Sequence, residues 1–349
     1  MIDEAMAEYR AALEQGWRNL VDGRRPETPI EWSDASRVLA AYAEGALTFV
    51  HADPARPRFV PWVTADRRWA DNGRDSTYWY APVAAGRRYR IAGRRHEECY
   101  LSATVYAGRP AHPDRVALNL NHVALGAGPG EPFTIDVDPP DDACYVIVRQ
   151  YFQDPANERP ADLAIEVVDG PPPAAPTAAE LAARWRLAAD FVRAMTKPAE
   201  SANVSYRSRV VNEIGTPSGW RQEEGAGRGT PDQTYALGQF ELGPDDALVM
   251  DAHIPRGVYS SVVVWNLFGQ SVDWREHRST FNGTELARRA DGGVRVVLAH
   301  RDPGPGAGDW LDTGGRHRGS LFWRFLLADE QPRPVRSRVV PVDEVHTLD

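Results

Sequence analysis

Two short runs constrain this chain more than any other feature: CYVIVRQYF at residues 144–152 and SLFWRFLL at 320–327. Each is an apolar, aromatic-rich segment of strand length with one arginine near its middle, Arg149 and Arg324. A charge inside an apolar strand must be paired or used, because an isolated buried ion forfeits its hydration. Each run also sits near the end of a series of short alternating segments. The first series is TYWYAPV, RYRIA, CYLSATVY, FTIDVD and CYVIVRQYF, closed by ADLAIEVV. The second is SYRSRVV, TYALGQFEL, ALVMDAHI, VYSSVVVWN, GVRVVLAH and GSLFWRFLL. Period-two alternation broken by Gly, Pro and Asp turns predicts antiparallel strands. The tyrosine-initiated strands Tyr100–Tyr106 and Tyr259–Trp265 correspond as well. The two series read as a diverged duplication, set against the alternative that short β motifs match by chance.

Helices precede and separate these series. Met6, Tyr9, Leu13, Trp17 and Leu20 form one apolar stripe, which predicts a helix over 1–22. A second helix is expected from an N-cap at Ser33 to about Phe49. GPPPAAP at 170–176 is a stiff linker. Thr177-x-x-Glu180 then opens a helix whose buried face carries Leu181, Trp185, Ala188, Val192 and Met195. The expected organisation is a helical segment (1–62), a first β domain (63–170), a linker with a helix (171–200) and a second β domain (201–349). The fold class is mainly β, two jelly-roll or sandwich-like domains with N-terminal helices and an inter-domain helix.

Composition excludes several classes. The chain has 349 residues and a net charge of −9, a balance that repels phosphate backbones, so no nucleic-acid partner is expected. No run of about 18 apolar residues occurs, which argues against a membrane span. The acidic, amphipathic start lacks a basic head and apolar core, so cytoplasmic residence is the expectation. Lys197 is the only lysine, and it precedes Pro198 at a predicted helix end, which leaves little room for lysine-based covalent chemistry. Cys99 and Cys144 read as buried free thiols.

Cofactor and nucleophile signatures are missing. Gly269-Gln270-Ser271-Val272-Asp273 lacks the closing glycine of a nucleophile elbow. GAGPGEP at 126–132 precedes a strand, so it offers no helix N-terminus to a phosphate. His96-Glu97-Glu98-Cys99 lacks a second histidine for zinc. No metal and no cofactor are therefore expected; were a metal assembled, His300, Asp302 and His317 would be its ligands.

Three features remain. Val262–His277 delivers Trp265 and Asn266 from an apolar strand, then Asp273, Arg275 and His277 from a turn. They form a pocket rim with Phe268 and Trp274, or a surface pair on a loop. Residues 301–315 make a long loop with Asp302, Asp309, Trp310 and Asp312, functional or simply pinned by the tryptophan. Arg324 needs a carboxylate or carbonyls if it faces inward. Trp265, Asp302, Trp310, Asp312 and Arg324 are expected to converge on one pocket, which only Arg324 of the two arginines borders. The eleven tryptophans and the Tyr78-Trp79-Tyr80 run suit flat apolar ligands or sugar faces, or a ring-filled core.

At Tyr78–Pro82, Tyr89–Ile91, Tyr100–Tyr106, Val148–Tyr151 and Ala290–Arg324 the chain resembles a bacterial family known as domain of unknown function 1214. The resemblance spans about residues 65–330 apart from the linker helix. Members carry Asn before the Trp-Leu pair, where this chain has Asp309, which puts that side chain's role in question. The resemblance implies two β domains and brings no reaction with it.

The functional expectation is an enzyme of small-molecule metabolism doing cofactor-free acid/base chemistry of isomerase, cyclase, lyase or hydrolase type. Its substrate is a largely apolar, ring-containing compound such as an isoprenoid, steroid or polyketide. Asp302 or Asp312 acts as acid or base, and Arg324 as electrostatic partner. Trp265, Asn266, Asp273, Trp310 and His317 contact the substrate, and a homo-oligomer is possible. The alternative is a non-catalytic sugar- or lipid-binding β-sandwich protein; a third reading is a structural protein with no pocket.

Overall fold

The computed structural model describes residues 1–197, 208, 210–219 and 230–348. The expected strand SYRSRVV falls mostly outside them. Helices α1 (Ile2–Arg24), α2 (Pro29–His51) and α3 (Ala178–Thr196) form one helical layer. The capping box of α3 forms as its spacing predicts, with Thr177 and Glu180 exchanging hydrogen bonds. Helix α2 starts earlier than expected. Thr28 and Glu31 make its capping box with Pro29 at the first helical position, so Ser33 lies a turn inside. α3 joins the core beneath the first β series, its Phe191 packing on Trp62 at 5.7 Å in one cluster with Tyr80 and Ile147. It lies against α1 and α2, with Trp185 on Tyr9 at 5.5 Å and Phe191 on Phe49 at 5.4 Å.

The N-terminal strands are β1 (Val60–Val63), β2 (Ser76–Pro82), β3 (Arg88–Arg94), β4 (Tyr100–Ala107), β5 (Arg115–Asn121), β6 (Pro132–Val137), β7 (Ala143–Tyr151) and β8 (Asp162–Asp169). They form two sheets, β1-β2-β7-β4-β5 and β6-β3-β8. The C-terminal strands are β9 (Gln233–Glu241), β10 (Asp246–Ala252), β11 (Tyr259–Trp265), β12 (Thr280–Asn282), β13 (Val294–Ala299), β14 (Asp309–Asp312), β15 (Arg318–Leu326) and β16 (Arg336–Pro341). They also form two sheets, β12-β11-β15-β9 and β14-β13-β10-β16. The molecule is mainly β, and among the described residues no sheet closes into a barrel.

The strand orders expose a repeat. β2-β7-β4-β5 matches β9-β15-β11-β12, and β6-β3-β8 matches β13-β10-β16. The register matches too. Arg149 lies opposite Tyr78 on one side and Ser102 on the other; Arg324 lies opposite Tyr235 and Ser261. Arg149 and Arg324 thus occupy equivalent strands, as the two aromatic runs predict.

Alternation decides what each arginine sees. Val146 and Val148 of β7 enter the core shared with β6-β3-β8, so Arg149 leaves by the other face. Trp323 and Phe325 of β15 enter the core of the C-terminal sandwich, so Arg324 leaves by the opposite face. These two faces meet, with Tyr100 and Tyr151 packed on Tyr259 and Leu326. The helical layer covers the rest of the N-terminal face through Phe49, Trp62, Tyr80 and Phe191. Ion pairs Arg316–Asp34 and Arg318–Glu31 tie α2 to the C-terminal sheets. No helix among the described residues is long and apolar enough to cross a membrane. Both cysteines are free and half-buried, and burial pushes the Cys99 thiol up to about 12.

Candidate functional site

The loop from Asp71 to Asp75 enters the seam between the facing sheets. Gly73 takes a left-handed φ of 64°, which lets the chain turn there. Asp71 fixes the turn: its carboxylate accepts from the Gly73 and Ser271 backbone N–H groups and from the Ser271 hydroxyl at 2.6 Å. The Asp71 carbonyl accepts the Trp265 indole N–H at 3.1 Å. These bonds present Asn72 and Asp75 to the C-terminal sheet.

Asn72 is the hub. Its side-chain oxygen accepts from the Arg324 guanidinium and from Ser261 at 2.7 Å. Its nitrogen donates to the Tyr259 hydroxyl at 2.7 Å, and that hydroxyl donates to Asp75 at 2.8 Å. Asp75 is fully buried, and burial pushes its carboxyl up to about 7 despite the Tyr259 bond.

Arg324 is 3% exposed. Its guanidinium carbon sits 4.9 Å from the Phe322 ring centre, 5.7 Å from Tyr235 and 5.9 Å from Tyr151. Its buried Nε has no hydrogen-bond partner. Arg149 donates to Thr104 at 2.8 Å and to Tyr106, and lies over the Tyr78 and Tyr106 rings. The two arginines are joined through tyrosines. The Tyr78 and Tyr151 hydroxyls are 3.0 Å apart, and Gln233 donates to Tyr151 at 2.8 Å. Among the described residues, neither arginine has a carboxylate within ion-pair distance. Asp232, the nearby acid of the seam, is occupied by Tyr100, Asn119 and Asn121.

The expected convergence on the 301–315 loop does not occur. Trp265 shares the inner face with Arg324 and stacks on Phe322 at 4.4 Å, so these two predicted residues do belong together. Asp302 is exposed and, among the described residues, accepts only its own turn's Gly304 N–H at 2.8 Å. Residues 309–312, expected as loop, form β14 beside β13 in the outer sheet, because Leu311 fills the sandwich core and the Trp310 indole bonds the Ala299 carbonyl. Asp312 is therefore on a different sheet from Arg324 and pairs with His277 at 2.8 Å. Asn266 pins the 266–270 turn by accepting from Phe268 and Gln270. Arg275, with Arg68, holds the Asp273 carboxyl well below the usual carboxylate range, which makes it a structural pair. His317 lies near Glu27 and Glu31 at the α2 seam.

Nor does Arg324 border any of the three best-formed cavities, of about 680, 390 and 220 Å³. The largest lies between the C-terminal half of α2 and β1. Among the described residues no group of three or more His, Cys, Asp or Glu is placed to hold a metal ion. Sequence reasoning missed Asn72, Asp75, Tyr151 and Tyr259 as site residues. The signal that could have found the seam was the repeat itself: two arginines at matching positions, each with a tyrosine-initiated partner strand.

No family model matches the chain, and no curated protein does. Among the solved structures similar to it are the following two. An uncharacterised protein from Burkholderia cenocepacia is 28% identical, covers 97% of both chains and superposes with a TM-score of 0.87. A protein from Vibrio parahaemolyticus is 10% identical, covers 94% of this chain and 100% of its own, with a TM-score of 0.50, and shares the fold alone.

Proposed function

We propose that this chain binds a small organic anion at the arginine–tyrosine seam between its two sheet pairs. One observation carries the reading: two buried guanidiniums share one tyrosine cluster and have no carboxylate partner among the described residues. A guanidinium stays protonated wherever it is buried, so its charge has to be answered. Ring contacts supply about 0.5–2 kcal/mol each, against the several kcal/mol that desolvating an ion costs. A carboxylate on a ring-bearing compound would answer such a charge and stack on the tyrosines. Tyr78 and Tyr235, beside the two buried arginines, are half-buried.

Asp75 favours a second reading on the same site. A carboxyl that titrates near 7, bonded by Tyr259 and linked through Asn72 to Arg324, is poised to take and return a proton. Cofactor-free isomerase, cyclase, lyase or hydrolase chemistry on an apolar ring compound then runs through Asp75 and not through Asp302 or Asp312. The non-catalytic sugar- or lipid-binding alternative gains nothing from a buried cationic centre. Membership in the domain of unknown function 1214 family remains our proposal and adds no reaction.

The test is a thermal-shift screen of aromatic and alicyclic carboxylates. A ligand at a hundred times its Kd should add about 2.7 kcal/mol of stability. Loss of that shift in Arg324→Met supports the site, and no carboxylate raising the melting temperature sinks it. Incubating the best ligand in deuterated water then separates the two readings: proton exchange or conversion marks the enzyme, an unchanged ligand the binder.

A further inference from the structure

We infer that the ligand of this seam carries two anionic groups, one for Arg149 and one for Arg324, as an α,ω-dicarboxylate or ring dicarboxylate does. The inference rests on the anion-binding reading above and goes further in counting charges. The duplication places the two arginines in equivalent registers, each between a tyrosine and a serine: Tyr78–Arg149–Ser102 and Tyr235–Arg324–Ser261. The facing of the two sheets turns these rows toward one cluster. Tyr78, which lies under Arg149, bonds Tyr151, which lies under Arg324. A single carboxylate in that cluster would neutralise one guanidinium and leave the other buried and unanswered.

Among the described residues, no carboxylate pairs directly with either guanidinium. The carboxylate nearest to Arg324 by bonding, Asp75, reaches it only through Tyr259 and Asn72. Asp232 spends its accepting oxygen on Tyr100, Asn119 and Asn121. The Arg324 Nε is buried and has no acceptor among the described residues, which leaves one edge of that planar fork unused by them. A carboxylate approaching the Nε edge would take it up with the geometry that arginine prefers. On the other side, Arg149 is held among the described residues by the hydroxyls of Thr104 and Tyr106 and by the Tyr78 and Tyr106 rings. Two forks of this kind, related by an internal repeat, suit a molecule with two like ends and a ring or short chain between them.

The experiment is calorimetric titration of the full-length protein with matched pairs: isophthalate against benzoate, and glutarate or adipate against butyrate or hexanoate. Phenyl phosphate provides a compound with both charges on one group. The expected result is that a dicarboxylate binds at least tenfold tighter than its monoacid, and that either Arg149→Met or Arg324→Met removes the advantage. Equal affinity for mono- and dicarboxylates overturns the inference and leaves a one-anion site. So does phenyl phosphate binding as tightly as isophthalate. Failure of every anion to bind overturns the inference together with the reading on which it rests. If the methionine variants do not fold, the ratio measured on the unaltered protein decides alone.

Discussion

Arg316 and Arg324 are both buried, both on or beside β15, and treated in opposite ways. Arg316 meets Asp34 of α2 with two bonds of 2.7 and 2.8 Å, a forked pair that neutralises charge on the spot. Arg95 is handled alike by buried Glu98 at 2.7 Å. Arg324 and Arg149 receive an amide, hydroxyls and ring faces instead. The chain thus provides a carboxylate where an arginine fastens one layer to another. At the seam where the two repeats face each other, neither arginine pairs directly with a carboxylate among the described residues. On the anion-binding proposal, the difference separates arginines that hold the structure from arginines that hold a ligand.

The largest effect should come from breaking the matched kind. Arg316→Met leaves Asp34 buried beside no cation, which costs about 3–5 kcal/mol. Chemical denaturation should show it as a lower midpoint with an unchanged slope. A loss under 1 kcal/mol would mean that the forked pair is not structural, and the comparison would fail at its first term.

Asp75 tests whether the seam keeps a proton. Its folded value near 7 lies above the ordinary carboxylate value, so the folded state holds the proton more tightly than the unfolded chain. The stability this contributes is full below about pH 4, declines as pH rises through about 7, and is flat beyond. The span is worth up to about 4 kcal/mol. Asp75→Asn should remove that slope. The difference in denaturation midpoints between variant and parent, measured at pH 4.5, 6 and 8, should change steadily and then level. A difference that stays constant with pH would show that Asp75 is ionised throughout.

The unmatched arginines should behave in the reverse sense to Arg316. With no ligand present, Arg149→Met or Arg324→Met exchanges an uncompensated charge for an apolar chain of similar length. The exchange recovers the several kcal/mol of desolvation that an unpaired buried ion costs, less the hydrogen bonds lost at Asn72, Thr104 and Tyr106, about 1.5–3 kcal/mol each. A gain in melting temperature coupled to loss of anion binding is the expected signature. A loss comparable to that of Arg316→Met would place both kinds in one structural class.

Much of this architecture was legible in the sequence, because strand alternation, turn residues and capping boxes act locally. TYALGQFEL, VYSSVVVWN and SLFWRFLL became β9, β11 and β15, and Thr177-x-x-Glu180 capped α3. The equivalence of Arg149 and Arg324 was legible for the same reason. The site was not. Asn72 and Arg324 are 252 positions apart, and nothing local couples them. Proximity in sequence pointed to Asp302 and Asp312 instead. Parity along β15 would have warned against them: with Trp323 in the sandwich core, Arg324 must face away from the sheet that carries β14.

The smallest predicted effect completes the contrast between seam and loop. Asp302 is exposed, forms no ion pair and accepts one hydrogen bond from Gly304, two residues on. Asp-Pro-Gly is turn chemistry that the chain adopts with little help from this bond. Asp302→Ala should therefore change stability by no more than about 0.5 kcal/mol, as for surface positions without a special role. It should leave carboxylate binding unchanged, since the loop lies on the outer sheet and the arginines face the inner seam. Calorimetry on this variant beside Arg324→Met gives the sharpest form of the comparison. If Asp302→Ala alters ligand affinity while Arg324→Met does not, the acidic loop is the site after all, and the buried arginines are merely costly pieces of the fold.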